Sequence, residues 1–88
     1  MTNKTFLYEG VIHLFGEVES PRFMPWITDY AKKLGIKIKR DFYQKNQLTL
    51  HVIGEHEMLV CLSIACSLGP KSVLVNKVKN EFIPLNVC

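Results

Sequence analysis

The sequence predicts an α+β fold in which two helices cover one face of a four-stranded antiparallel sheet. Segments with strand-like alternation and segments with helical spacing follow one another in the order strand, helix, strand, strand, helix, strand. The 88 residues suffice for one small hydrophobic core, and their apolar fraction of 48% is that of an ordinary globular protein. We therefore expect residues 1–88 to form a single domain.

The first strand is expected at residues 6–16, where aromatic and β-branched side chains are frequent and a turn-rich segment follows. The next apolar side chains have the spacing of one helical face, and they are Phe23, Ile27, Tyr30, Ala31 and Leu34. Pro25 is tolerated only in a first helical turn, because its missing N–H has no intrahelical acceptor there. The first helix should therefore begin near Met24 and end at Gly35.

A hairpin with one buried face is expected next, with the polar residues 44–47 at its tip. The apolar positions that alternate along its two arms are Ile36, Ile38 and Phe42, then Leu48, Leu50 and Val52. Strict alternation places all six side chains on the same side of the sheet.

An apolar run at residues 58–68 predicts the second helix, which Gly69 and Pro70 should end, and residues 72–83 should form the last strand. This order of elements is that of the ferredoxin-like split βαβ sandwich, whose two crossovers place both helices on one sheet face. The core is expected to contain Leu14, Ile27, Leu34, Ile38, Leu50, Val52, Leu62 and Val75.

Charge and cysteine content exclude several classes of protein. The formal net charge of +3 favours an anionic partner only weakly and is far below that of dedicated nucleic-acid binders. The longest apolar stretch has eleven residues, which is too short to cross a bilayer, and no secretion signal precedes it. Cys61 and Cys66 have a spacing that suits neither a disulfide nor paired metal ligands. We expect a cytoplasmic protein without membrane contact, metal or organic cofactor.

The segment between the first strand and the first helix is the principal candidate site, because a helix N-terminus and its preceding loop direct N–H groups toward anions. The expected anion-binding residues are Gly16, Glu17, Val18, Glu19, Ser20, Pro21, Arg22 and Phe23. These residues, hereafter the first loop, together with Met24 have the length of the acylphosphatase segment G-R-V-Q-G-V-G-F-R. Residues 31–36 are similar to that family's A-x-x-L-G-L, and residues 69–78 to its G-P-x-x-A-x-V-x-x-V. The chain thus resembles the acylphosphatases over residues 11–84.

This resemblance implies the hydrolysis of acyl phosphates without metal or cofactor. In the family, loop N–H groups and one arginine hold the phosphate, and an asparagine on the second strand orients the attacking water. At these two positions the sequence has Met24 and Phe42, which we interpret as apolar fillers of an emptied pocket. Both side chains that would carry the chemistry are therefore replaced.

The first loop also differs from the family pattern in ways that oppose phosphate binding. Pro21 has no N–H to donate, and Ser20 replaces a glycine that lets the backbone curl around phosphate. Glu17 and Glu19 add negative charge. We therefore predict a catalytically impaired or inactive domain that serves as a binding or regulatory module. Its partner would be a small phosphorylated or anionic ligand, or another protein.

Two alternatives remain. In the first, the domain is an active acylphosphatase in which Arg22 holds the phosphate and Asn46 at the hairpin tip binds the water. In the second, the domain binds RNA through its sheet, but the third strand lacks the aromatic residues typical of such proteins, so we do not expect nucleic acid as a partner. His13 and His51 should form an exposed cross-strand pair on the helix-free face, since no third metal ligand accompanies them.

Overall fold

The computed structural model describes residues 7–70 and 73–85. Its elements are β1 (Leu7–Gly16), α1 (Phe23–Lys33), β2 (Lys37–Gln44), β3 (Gln47–Glu55), α2 (His56–Leu68) and β4 (Val75–Pro84). All neighbouring strands are antiparallel, and their order in the sheet is β2-β3-β1-β4. Each helix thus connects two strands that have a third strand between them. This arrangement confirms the predicted ferredoxin-like α+β fold.

One hydrophobic core lies between the sheet and the two helices. The even-numbered side chains of β1 and β3 point into it, and Ile12, Leu14, Leu48, Leu50 and Val52 are completely buried. Ile27 of α1 and Leu62 of α2 belong to the same cluster, so both helices cover the same sheet face. Of the eight predicted core residues, Leu34, Ile38 and Val75 are only partly buried and pack against this cluster. The other five are fully enclosed.

The boundaries of the elements differ slightly from the predicted ones. α1 begins at Phe23, one residue earlier than expected, and Pro25 lies in its first turn as predicted. β4 begins at Val75, whereas the prediction began at residue 72, which lies outside the described residues. Residue 6, the predicted start of the first strand, also lies outside them.

β2 does not follow the predicted alternation along its whole length. Ile38 is paired with Val52 and Arg40 with His51, so one extra residue lies between these pairs and the register shifts. Such a β-bulge reverses which side chains point to each face beyond it. Phe42 is consequently paired with Thr49 and lies on the face opposite the helices, with 45% of its surface exposed. The prediction that Phe42 shares a buried face with the other apolar hairpin residues is wrong.

The sheet face that no helix covers is called the open face below. His13 and His51 lie on this face, as their positions in the alternation predicted. They are diagonal neighbours, because His13 is paired with Thr49 and His51 with Val11. The ring of His13 makes a 3.0 Å hydrogen bond between Nδ1 and the Thr49 hydroxyl. Both histidines are half-buried rather than fully exposed.

Candidate ligand-binding cleft at the first loop

A cleft of about 370 Å³ opens beside the first loop. Its lining consists of Glu19, Ser20 and Pro21 from the loop, Met24 from the first turn of α1, and Tyr43 from β2. The loop, the helix N-terminus and the edge strand of the sheet therefore meet at one place. This is the place where the family resemblance located a phosphate site.

Hydrogen bonds to two distant segments hold the beginning of the first loop. The N–H of Gly16 donates to the carbonyl of Asn46 at the hairpin tip, at 3.1 Å. The N–H of Glu17 donates to the carbonyl of Leu74 at 2.8 Å, and the Glu17 carboxylate accepts the N–H of Leu74 at 2.9 Å. The carboxylate of Glu17 thus has a structural partner just before β4.

Further N–H groups of the loop donate within the loop itself. Ser20 donates to the carbonyl of Glu17 at 3.3 Å, and Phe23 donates to the carbonyl of Ser20 at 3.0 Å. The N–H of Arg22 lies 3.4 Å from the Ser20 hydroxyl oxygen, which is a weak hydrogen bond. These three groups are therefore engaged within the loop and are not free to bind a ligand.

Few donors remain for an anion. Pro21 has no N–H, and Pro25 removes one more donor from the first turn of α1. Within residues 7–70 and 73–85, only Val18 and Glu19 of the first loop have N–H groups without an acceptor. Val18 is completely buried and does not line the cleft, so among these two groups only the N–H of Glu19, a residue with a carboxylate side chain, is open to an anion.

Met24 occupies the position of the family's arginine and brings no charge to the cleft. Its side chain is half-buried and packs against the hydrophobic core while it contributes to the lining. An unbranched thioether fills irregular space well and cannot compensate a phosphate charge. Met24 therefore contributes apolar surface and no cation to the cleft.

The two candidate substitutes lie near the cleft without lining it. Arg22 is the exposed N-cap residue of α1, and its guanidinium has no hydrogen bond or ion pair with any described residue. Asn46 adopts a positive φ of 58° at the hairpin turn, and its backbone carbonyl rather than its side chain holds the loop at Gly16. The cleft itself is lined by neither residue.

Tyr43 is the residue of β2 that faces the first loop, and the sequence alone did not single it out. It is paired with Leu48, which is buried under the helices, so both side chains lie on the helix side of the sheet. The bulge therefore gives Tyr43, and not Phe42, the orientation that a water-positioning residue would need. Partial burial raises the pKa of the Tyr43 phenol, and the carboxylates of Asp41 and Glu19 raise it further. The phenol stays protonated at neutral pH and can donate a hydrogen bond into the cleft.

The chemistry available in the cleft is one carboxylate, two hydroxyl groups and apolar surface. Glu19 carries the only formal charge among the described lining residues. Stabilising a developing phosphoryl charge requires preorganised donors or cations aimed at it, and a carboxylate has the opposite effect. The lining therefore suits a small ligand with apolar and hydrogen-bonding groups better than it suits a phosphate dianion.

The described residues also bear on metal binding and on membrane insertion. Among residues 7–70 and 73–85, no three side chains of histidine, cysteine, aspartate or glutamate are grouped so that they could hold a metal ion. Cys61 is an exposed free thiol, and Cys66 is a buried one. In the same part of the chain, neither helix has the length and apolar character that crossing a membrane requires.

Comparisons with known proteins identify the fold. No family model and no curated protein matches the sequence. Among solved structures, an acylphosphatase from Coxiella burnetii matches with a TM-score of 0.79 and 21% identity, covering 100% of this chain and 94% of that one. An acylphosphatase from Bacillus subtilis matches with a TM-score of 0.76 and 14% identity, covering 85% and 83% of the two chains.

A third match is full-length HypF in its phosphate- and nucleotide-bound form, with a TM-score of 0.79 and 16% identity. It covers 96% of this chain and 11% of the HypF chain. The chain therefore has an acylphosphatase-like fold, which occurs both as nearly an entire protein and as a small part of a longer one.

Proposed function

We propose that this acylphosphatase-like domain has lost the hydrolysis of acyl phosphates and acts as a binding or regulatory module. The observation that carries the proposal is the lining of the cleft, in which Met24 and Tyr43 stand where a cation and a water-orienting amide would be needed. Removal of one such group typically costs about 100- to 1,000-fold in kcat. Loss of both groups removes roughly four orders of magnitude or more from the rate.

The ligand proposed for the cleft is a small molecule. The family resemblance predicted a phosphorylated or anionic ligand, for which the N–H group of Glu19 and the hydroxyls of Ser20 and Tyr43 are available donors. The Glu19 carboxylate opposes a dianion, so we expect weak binding of inorganic phosphate. Trp26 lies in α1 next to the first loop, and its fluorescence provides a readout for a phosphate titration. Glu19→Gln should strengthen the binding of phosphate, because it removes the repulsion and keeps the shape.

Hydrolysis of benzoyl phosphate tests the loss of activity. The unmodified protein should show no turnover above the buffer rate. We expect activity to appear in the double variant Met24→Arg/Tyr43→Asn and to be absent from each single variant, because the arginine would bind the group that the asparagine's water must attack. The matched control is Met24→Arg/Phe42→Asn, which places the same amide on the open face.

Two results would contradict the proposal. Turnover of the unmodified protein at a rate typical of enzymes would overturn the loss of activity. Equal activity in the Phe42→Asn and Tyr43→Asn double variants would overturn the assignment of Tyr43 to the cleft. Absence of activity in all variants would be consistent with the loss of loop donors at Pro21, and restoring a glycine there tests that explanation.

The guanidinium of Arg22, which has no partner among the described residues, supports the second candidate, an active hydrolase. An arginine two residues before Met24 could reach over the loop, and Asn46 lies where the hairpin tip meets that loop. In this case Arg22→Ala would abolish turnover of the unmodified protein, Arg22→Lys would retain part of it, and Asn46→Ala would lower kcat. Lys32→Ala serves as a control, because it removes one exposed positive charge from the opposite end of α1.

A further inference from the structure

The open face carries a group of side chains that the proposed function does not use. They lie in the half of the face next to the hairpin turn, and the strand register arranges them in rows across the sheet. The first row is Gln44, Gln47, Phe15 and Lys77, and the second is Phe42, Thr49, His13 and Lys79. The third row is Arg40, His51, Val11 and Glu81, so its one carboxylate lies at the edge of the sheet opposite Arg40. No carboxylate occurs in the first two rows.

The register also fixes the dimensions of this surface. Neighbouring strands lie about 4.8 Å apart, so the Phe42 strand and the Lys79 strand are separated by about 14 Å. Successive rows are about 7 Å apart, because each row is two residues from the next. Cationic side chains thus lie at both edges of the sheet, and between them lies a band of half-buried polar groups, namely His13, Thr49 and Gln47.

The aromatic ring of Phe42 distinguishes this surface from an ordinary basic patch. The ring is 45% exposed and meets the ring of His51 edge-on, at 5.6 Å between centroids. The guanidinium carbon of Arg40 lies 6.0 Å from the centre of the Phe42 ring. An exposed ring beside a planar cation is a surface on which a nucleobase can stack. A membrane surface or an acidic peptide would use the charges but would have no need of the ring.

The bulge in β2 changes the sequence-based expectation about nucleic acid. The prediction kept RNA binding only as a lesser alternative because β3 has no aromatic residue, and it assigned Phe42 to the buried face. The bulge instead places Phe42 on the open face, directly beside Thr49 of β3. Phe15 of β1 lies on the same face and is half-buried. The structure therefore supplies the stacking residue that the sequence of β3 lacks.

We propose that the half of the open face next to the hairpin turn binds single-stranded nucleic acid. Bases stack on Phe42, and phosphates lie against Arg40 at one edge of the sheet and against Lys77 and Lys79 at the other. This surface lies on the side of the sheet away from the helices, so the binding of nucleic acid there does not require a ligand in the cleft.

Fluorescence anisotropy tests the proposal. The protein is titrated into a fluorescein-labelled 12-nucleotide RNA at several salt concentrations between 25 and 200 mM. Neutralising two phosphate contacts in Lys77→Gln/Lys79→Gln should weaken binding and make the negative slope of log K against log salt shallower by about 1.4. The matched control is Lys32→Gln/Lys33→Gln, which removes the same charge from α1 and should leave that slope unchanged. An equal change of slope in both double variants would overturn the assignment to the open face.

The role of the ring needs a separate set of variants. Phe42→Leu should weaken RNA binding about 5- to 150-fold, whereas Phe42→Trp should retain it, because stacking on an aromatic ring contributes that much for one base. Heparin is a polyanion without bases, and Phe42→Leu should leave its binding unchanged. The proposal would be overturned if Phe42→Leu weakened the binding of RNA and of heparin equally. It would also be overturned if the Leu and Trp variants had equal affinity for RNA, or if the protein bound no RNA at 25 mM salt. If Phe42→Leu does not fold, Arg40→Gln provides an independent test, and this variant should weaken RNA binding.

Discussion

Glu17 and Leu74 hold each other through two hydrogen bonds in opposite directions. The backbone N–H of Glu17 donates to the carbonyl of Leu74 at 2.8 Å, and the side-chain carboxylate of Glu17 accepts the N–H of Leu74 at 2.9 Å. The two glutamates of the first loop therefore have different tasks. Glu17 connects the loop to the segment before β4, and Glu19 places its charge in the cleft.

Replacement of Glu17 by alanine should lower the free energy of unfolding by about 1 kcal/mol, because the N–H of Leu74 loses its acceptor in an exposed setting. Glu17→Gln should cost less, since its amide oxygen can still accept the bond. The control is Glu19→Ala, which breaks no hydrogen bond to a described residue and should change stability by less than about 0.5 kcal/mol. Urea unfolding followed by Trp26 fluorescence measures all three. A loss in Glu19→Ala as large as in Glu17→Ala would contradict the assigned roles.

Gly16→Ala should destabilise the protein strongly. Gly16 has a φ of 141°, which side chains rarely adopt, and an added Cβ would collide with the carbonyl oxygen of Leu74. Strain and collision together should cost about 3 kcal/mol. Gly35 is the matched control, because its φ is 71° and, apart from its two chain neighbours, no described residue has a heavy atom within 4 Å of an added Cβ. Gly35→Ala should cost only about 1 kcal/mol. Thermal unfolding of both variants compares them, and equal losses would show that the contact with Leu74 has no influence.

Stability should fall above pH 9 because of Cys66. Burial raises the pKa of this thiol from 9.0 to about 12, so the folded state keeps a proton that the unfolded state loses. The stabilisation is fully present below pH 9 and decreases as the pH rises toward 12, by at most about 1.4 kcal/mol per pH unit. Urea unfolding at pH 8, 9 and 10 measures this slope, and subtracting the slope of Cys66→Ala isolates the thiol. Identical slopes in both proteins would refute the prediction.

The reactivity of Cys66 gives a second measurement of its burial. In the double variant Cys61→Ser/Cys88→Ser, the remaining thiol should react with Ellman's reagent only after denaturant is added. The exposed Cys61, retained alone in a matched variant, should react within the mixing time of a manual assay. Rapid reaction of Cys66 in the folded protein would show that it is accessible.

The phenol of Tyr43 should ionise above pH 10.0, the ordinary value for tyrosine. Partial burial is the largest cause of this raised pKa, and the carboxylates of Asp41 and Glu19 add to it. The absorbance change at 295 nm in the wild type, minus that in Tyr43→Phe, isolates this group from the two other tyrosines. Glu19→Gln should lower the midpoint without returning it to 10.0, because burial remains. A midpoint unaffected by Glu19→Gln would show that this carboxylate does not act on the cleft.

The order of elements could be predicted from the sequence because each element carries its own periodic pattern. The buried side chains of β1 and β3 alternate without interruption, and Pro25 and Gly35 mark the two ends of α1 within two residues. These are local properties that a single segment reports. The position of the first loop could be predicted from these local patterns. A loop between the first strand and the first helix always lies at the N-terminus of that helix, whatever the arrangement of the other elements.

The face of the sheet to which each side chain of β2 points could not be predicted in the same way. A bulge is a property of the pairing between two strands, and residues 37–42 contain no glycine or proline that would reveal it. The assignment of Phe42 to the buried face of the hairpin and the omission of Tyr43 from the site have this same cause. The partner of Glu17 was also hidden, because Leu74 is 57 residues away in the sequence. The surroundings of His56, which lies between the rings of Tyr8 and Phe82, depend on three elements and were not foreseen.

The bulge at residue 39 has a consequence for how a chain of this kind can change over generations. A point mutation in β2 alters one surface of the sheet and leaves the other as it was. Gain or loss of one codon at the bulge would exchange the outward residues of the strand beyond it, so that Tyr43 and Phe42 trade sides in a single genetic event. Insertions and deletions here are therefore the mutations most able to give one domain a different pair of surfaces while its fold is preserved.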